Sequence, residues 1–193
     1  MTRWTLVCAA AIVATGLTAF VRSQEKMDHQ MAAKPQAAAS AAAGEFERLK
    51  SLAGAWEGTF GNLKAETTFE VTANGSAVIN VLKPGAPDAM VTVFHMDGAT
   101  LMVTHYCAAW NQPRMVSHGG KDPNAIAFQF KDVTNLSSPT AGHMRALTLT
   151  MPDANHHSQA WTFRQDVKDA TEVFAFTRKA TPAGTQSAAP LAR

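Results

Sequence analysis

Between Trp56 and Lys179 the chain runs through ten short stretches rich in Val, Thr, Phe and Met, each cut from the next by turn residues, with no crossover helix among them. The stretches are Trp56–Phe60, Ala65–Thr72, Ser76–Lys83, Met90–Met96, Leu101–Ala109, Arg114–His118, Ala125–Lys131, His143–Met151, His157–Gln165 and Thr171–Lys179. Asn74-Gly75 and Asp97-Gly98 are two-residue hairpin signals, and Pro84-Gly85 and Lys121–Asn124 mark wider turns. Asn135–Gly142 has room for a short helical turn. Strands this closely spaced, with nothing to carry the chain back in parallel, predict an all-β antiparallel meander. Closing such a meander into a barrel of about ten strands removes its unpaired edges and leaves room for a cavity. A two-layer sandwich is the alternative.

One helical segment precedes the strands. In Glu45–Leu52 the apolar residues Phe46, Leu49 and Leu52 form a stripe, acidic residues open the first turn, and Arg48 and Lys50 follow as the helix dipole prefers. Gly54 ends it. Residues 1–23 read as an export signal, with Arg3 ahead of the uncharged apolar run Thr5–Val21 and small residues around a cleavage site at Ser23. That run is shorter than the roughly 20 residues of a spanning helix, so no stable membrane span is expected after cleavage. Residues 24–44, rich in Ala and Gln, are expected to be a disordered linker, and residues 180–193 a disordered tail. The remaining residues, 45–179, suit one domain.

Cleavage removes Arg3 and Arg22, so Lys+Arg falls from 17 to 15 and balances the 15 Asp+Glu. The basic balance belongs to the targeting segment, and no Lys/Arg cluster remains to track phosphates, which disfavours nucleic acid as a partner. Cys8 leaves too, so Cys107 has no internal disulfide partner and the fold must rest on its hydrophobic core. A monomer is expected.

Gly54-Ala55-Trp56 opens the first strand and Arg178 closes the last. This arrangement resembles the calycin families, and the stretch Leu49–Gly58 resembles nitrobindin-type and bacterial lipocalin-like barrel domains. The resemblance implies a barrel whose floor is plugged by Trp56 beneath Arg178. A guanidinium stacked on an indole gains roughly 0.5–2 kcal/mol on its own physics. Nitrobindin-type domains hold haem through a histidine near the last strand. The corresponding run here, Thr171–Arg178, has no histidine, and Thr59-Phe60-Gly61-Asn62 replaces the glycine- and tyrosine-rich continuation of the first strand. The resemblance therefore implies the fold and not the haem, and no cofactor is expected.

The densest chemistry is Thr104–Met115, which carries His105, Tyr106, Cys107, Trp110, Asn111, Gln112 and Arg114. His105 and Cys107, at i and i+2 on a strand, would share a face roughly 6.5–7 Å apart. That spacing is long for a thiol–imidazole dyad but compatible with two ligands of one metal. A zinc site would need two more donors, which His95 and His118 could supply from neighbouring strands; a two-residue loop at Asp97-Gly98 puts His95 on the face opposite His105, a three-residue loop on the same face. The plainer reading makes Cys107 a small core residue and His105 a satisfied lining residue. Asn111, Gln112 and Arg114 could present donors at a barrel mouth, Arg114 as a fork for a carboxylate, or could simply cap a turn. His156 and His157 read as an exposed loop pair, and the strand methionines suit either an adaptable pocket or ordinary core.

The functional expectation is an exported barrel that binds a small apolar or amphipathic molecule, with ligand contacts among His105, Tyr106, Cys107, Asn111, Gln112, Arg114 and His118. Two alternatives stand beside it: a thiol- or metal-dependent enzyme using His105 and Cys107, and a structural or assembly role near the membrane. No G-x-S-x-G, phosphate-cradling loop or H-E-x-x-H is present.

Overall fold

A computed structural model describes residues 41–119 and 122–180; the expected export signal at 1–23, most of the expected linker at 24–44 and nearly all of the expected tail at 180–193 lie outside the described residues. Ten antiparallel strands form one closed barrel: β1 (Gly54–Phe60), β2 (Leu63–Thr72), β3 (Ala77–Leu82), β4 (Met90–Asp97), β5 (Thr100–Tyr106), β6 (Gln112–Ser117), β7 (Ala125–Thr134), β8 (His143–Asp153), β9 (His156–Gln165) and β10 (Lys168–Arg178). Each pairs with its chain neighbours, and β10 closes on β1. The sandwich is excluded, because closure leaves no open edge.

The helix, α1, occupies residues 41–50, starting earlier than its amphipathic stripe. Ala41, Ala42 and Ala43, read as linker, are strong helix formers and extend it backwards. Phe46, Leu49 and Leu52 are buried and join the barrel core. Ser117 at the end of β6 donates to Glu45 at 2.5 Å, and the Arg48 guanidinium donates to the Pro123 carbonyl. Helix and turns thus cap one end of the barrel.

Trp56 sits at that floor with no exposure. Its indole donates to the Leu52 carbonyl at 2.9 Å. Register places Trp56 opposite Arg178, and the guanidinium lies 4.0 Å above the ring centroid. The same guanidinium donates to the carbonyls of Ala154, Ala53 and Ser51 at 2.8–2.9 Å, tying the last strand to the helix exit. Gly54 has φ 129, and a Cβ there would stand 3.1 Å from the Arg178 Nη1, so the glycine of the motif serves both the bend and the cation. At Gly58 a Cβ would meet the Ala175 carbonyl oxygen at 1.9 Å; β1 and β10 close only because that position has no side chain.

Two turns decide the interior. Asp97 pairs with Thr100, so the β4–β5 loop has two residues and His95 pairs with Met102. By alternation His95 points outward while His105 points inward. Thr72 pairs with Ala77, so the turn at Asn74-Gly75 has four residues rather than two. Ala73, Asn74 and Gly75 all take left-handed backbone there, and a single 3-10 turn forms. Residues 135–142 make turns and bends with no helix. Among the described residues no helix is long and apolar enough to cross a membrane.

Candidate functional site

The end opposite α1 is the mouth, framed by the turns β1–β2, β3–β4, β5–β6, β7–β8 and β9–β10. Below it, the inward side chains Phe69, Val78, Phe94, Val103, Phe128 and Leu149 are fully buried. At the mouth ends of the strands Leu82 of β3 is buried, whereas four other inward apolar residues are only partly buried: Phe60 closes β1, Met90 opens β4, Met144 lies near the start of β8 and Phe163 near the end of β9. The contrast describes a fully packed lower core and less completely buried apolar side chains toward the mouth.

A polar row forms the boundary between the two. Asn80 on β3 lies directly opposite Thr92 on β4, and Thr92 directly opposite His105 on β5. All three are buried, at 1% exposure each. The Asn80 amide donates to Thr67 at 2.6 Å and to the Thr68 carbonyl. Thr92 Oγ1 and His105 Nδ1 share a hydrogen bond of 2.8 Å. Across the lumen, the His105 ring meets Trp161 of β9 at 4.4 Å between centroids. The Trp161 indole donates to Gln159 at 3.0 Å, and the Gln159 amide reaches His157 Nε2 at 3.4 Å.

This network leaves two imidazole nitrogens, His105 Nε2 and His157 Nδ1, buried with no partner in the protein. Burial pushes the His105 pKa down to about 4. Burial, and the positive Arg178 nearby, push that of His157 down to about 3. Both rings are therefore neutral near pH 7, each with one nitrogen a donor and the other an acceptor. His157 is wedged edge-on against Trp56 at 4.4 Å and stacked on Phe176 at 4.9 Å, inside the floor. It is not an exposed loop residue; of the two only His156, the first residue of β9, is exposed, and it pairs with Asp153 at 2.9 Å. An unpaired buried nitrogen costs about 1–3 kcal/mol, so each needs a water or a ligand.

The segment Thr104–Met115 does not converge on one site. His105 faces in, and Tyr106 faces out, 51% exposed. β5 ends at Tyr106, so Cys107 lies in the loop and does not share a strand face with His105. The Cys107 amide donates to the Asn111 carbonyl, and the Trp110 amide to the Cys107 carbonyl, each at 3.1 Å. Cys107, Trp110, Gln112, Asn135 and Asp88 line a rim cleft of about 410 Å³. Burial raises the Cys107 pKa, opposing thiolate formation. Asn111 is buried and donates to the Gly142 carbonyl at 2.8 Å, fastening one mouth loop to another. Gln112 accepts from Thr134.

Arg114 is on the outer face, where its fork grips Asp132 through two bonds of 2.6 Å, so its guanidinium is already occupied by a carboxylate. His118 follows β6 at the floor end, far along the barrel from the mouth, and His95 lies on the outer face; neither can join His105. Among the described residues no three His, Cys, Asp or Glu side chains converge on a metal position. A second groove, about 480 Å³, crosses the outer face near the floor between Pro152, His156, Ser158, Ala175 and Gly58. Sequence reasoning missed Asn80, Thr92, Gln159 and Trp161, because only the cross-strand register assembles them.

No known family matches this sequence. No curated protein matches it either. Among solved structures the chain is similar to the crystal structure of Rv2717c from M. tuberculosis, at 14% identity and a TM-score of 0.46, over 69% of this chain and 96% of that one.

Proposed function

We propose that this chain is an exported barrel that binds a small apolar or amphipathic molecule in its mouth end, the polar group of that molecule meeting His105 Nε2. The observation that carries this reading is the unpartnered nitrogen of a buried neutral imidazole at the boundary between packed core and partly buried apolar wall. A barrel whose interior served packing alone would be better filled by apolar side chains there, since the orphan nitrogen costs free energy and gains nothing. One orienting polar group in an apolar concavity is the usual composition of a small-molecule site. Phe60, Met90, Met144 and Phe163 supply the wall, the methionines adapting to ligand shape.

The test is a titration with an amphipathic naphthalene fluorophore, following energy transfer from Trp161. Saturable one-to-one binding is expected, weakened about tenfold in His105→Leu by the loss of one buried hydrogen bond. Absence of saturable binding, or equal affinity in the variant, would remove the proposal.

A further inference from the structure

The most exposed large hydrophobic side chains of the described residues are Val167 at 88%, Trp110 at 84% and Leu63 at 67%. Each belongs to a different hairpin: Leu63 follows the β1–β2 turn, Trp110 sits in the β5–β6 loop, and Val167 is in the β9–β10 turn. All three hairpins are at the mouth. In ring order β5–β6 lies across the opening from the other two, so the three tips surround the mouth rather than form a patch. A protein groove buries a contiguous patch. A planar apolar phase can accept three separated tips at once.

The exposure is built rather than incidental. Trp110 holds φ 65, a costly conformation for a bulky residue. Its carbonyl accepts from Asn135 Nδ2 at 2.5 Å, and the buried Asn111 beside it is anchored to Gly142. The loop is thus pinned on both sides while the indole projects into solvent. Asp166, before Val167, is also left-handed, with φ 55.

Charge at the rim fits the same surface. The Lys83–Asp88 and Arg164–Asp169 pairs are closed within the molecule, at 2.7 and 2.6 Å. Lys64 and Lys168 directly follow Leu63 and Val167 and are exposed, against one exposed carboxylate, Asp166, beside the same tips. Their aliphatic stems can lie along acyl chains while the ammonium groups stay at phosphate depth. The floor end, capped by α1, carries none of these three residues.

We propose that the mouth rim docks onto a phospholipid bilayer, Leu63, Trp110 and Val167 entering the boundary between headgroups and acyl chains. This goes beyond ligand binding inside the barrel and does not depend on it: fluorophore binding in solution needs no membrane, and docking needs no ligand.

Trp110 is its own reporter, because Trp56 and Trp161 are buried. The full chain and its Trp110→Phe variant are mixed with phosphatidylcholine vesicles, with and without phosphatidylglycerol, carrying brominated or plain acyl chains. Their difference spectrum isolates Trp110 from any signal of Trp4. At an insertion depth of about 5–10 Å, brominated chains are expected to remove about half of the Trp110 emission. Leu63→Ser/Val167→Ser, with its thermal midpoint unchanged, should need about fivefold more lipid for the same quenching. Equal Trp110 emission with brominated and plain vesicles would overturn the proposal, as would undiminished quenching in the double variant. A concentration-dependent dimer that shields Trp110 without lipid would overturn it too, making a second copy the rim's occupant.

Discussion

Acidification from pH 7 to pH 5 should cost this barrel about 4 kcal/mol of stability through two imidazoles alone. His105 and His157 have pKa values of about 4 and about 3 in the folded chain, against 6.5 when exposed. Both values are depressed, so below pH 6.5 the unfolded chain takes up protons that the native barrel refuses, and stability falls with pH. Between pH 6.5 and pH 5 each ring loses about 2 kcal/mol, at about 1.36 kcal/mol per pH unit. That figure requires only that both folded values lie below pH 5. The depressed carboxylates Asp88, Asp153 and Asp169 begin from 3.8 and titrate lower still, so they add nothing in this interval. Urea unfolding followed by tryptophan emission at the two pH values should show the midpoint falling by about 2 M, for a slope of about 2 kcal/mol per molar. His105→Leu and His157→Leu should each remove about half of the dependence. A wild-type midpoint that stays fixed from pH 7 to pH 5 would mean that both rings take up protons in the folded chain as readily as in the unfolded one, and their burial as neutral imidazoles would be wrong.

Other expectations follow from the floor, the seam and the thiol. Trp56→Ala removes a fully buried indole, its bond to Leu52 and its stack with Arg178, and should cost about 3–5 kcal/mol in denaturant unfolding. Arg178→Lys keeps the charge but cannot reach three carbonyls with a planar fork; a loss of about 1–3 kcal/mol is expected, and an unchanged thermal midpoint would dismiss the clamp. Gly58→Ala drives a Cβ into the Ala175 carbonyl and should loosen the β1–β10 seam by at least about 3 kcal/mol, seen as faster amide exchange along both strands. Cys107 should react slowly with iodoacetamide at neutral pH and accelerate only at more alkaline pH than a free thiol; rapid labelling at pH 7 would revive a thiol nucleophile.

The barrel was legible because closely spaced antiparallel strands announce themselves through turn residues, and all ten stretches fall on observed strands. Boundaries slipped where local chemistry outweighed pattern. β5 stops at Tyr106 because the Cys107–Asn111 and Trp110–Cys107 backbone bonds turn the chain there, which detaches Cys107 from the face of His105. Asn74-Gly75 reads as a tight hairpin, yet Ala73 also adopts left-handed backbone and widens the turn. The site was harder to see. Asn80, Thr92 and His105 are scattered in sequence and become a row only once the β3–β4 connection sets Asn80 opposite Thr92 and the Asp97–Thr100 turn sets Thr92 opposite His105. Arg114 has the makings of an anion anchor until Asp132, 18 residues later, is brought beside it. His157 looks like half of a loop pair until strand alternation sends it inward and His156 outward.

The interior site is tested most directly by native mass spectrometry of the protein recovered from an exporting cell. A population carrying one small molecule, released by mild activation and diminished in His105→Leu, is expected. Only the bare polypeptide mass, in protein that also fails to take up the fluorophore, would contradict it.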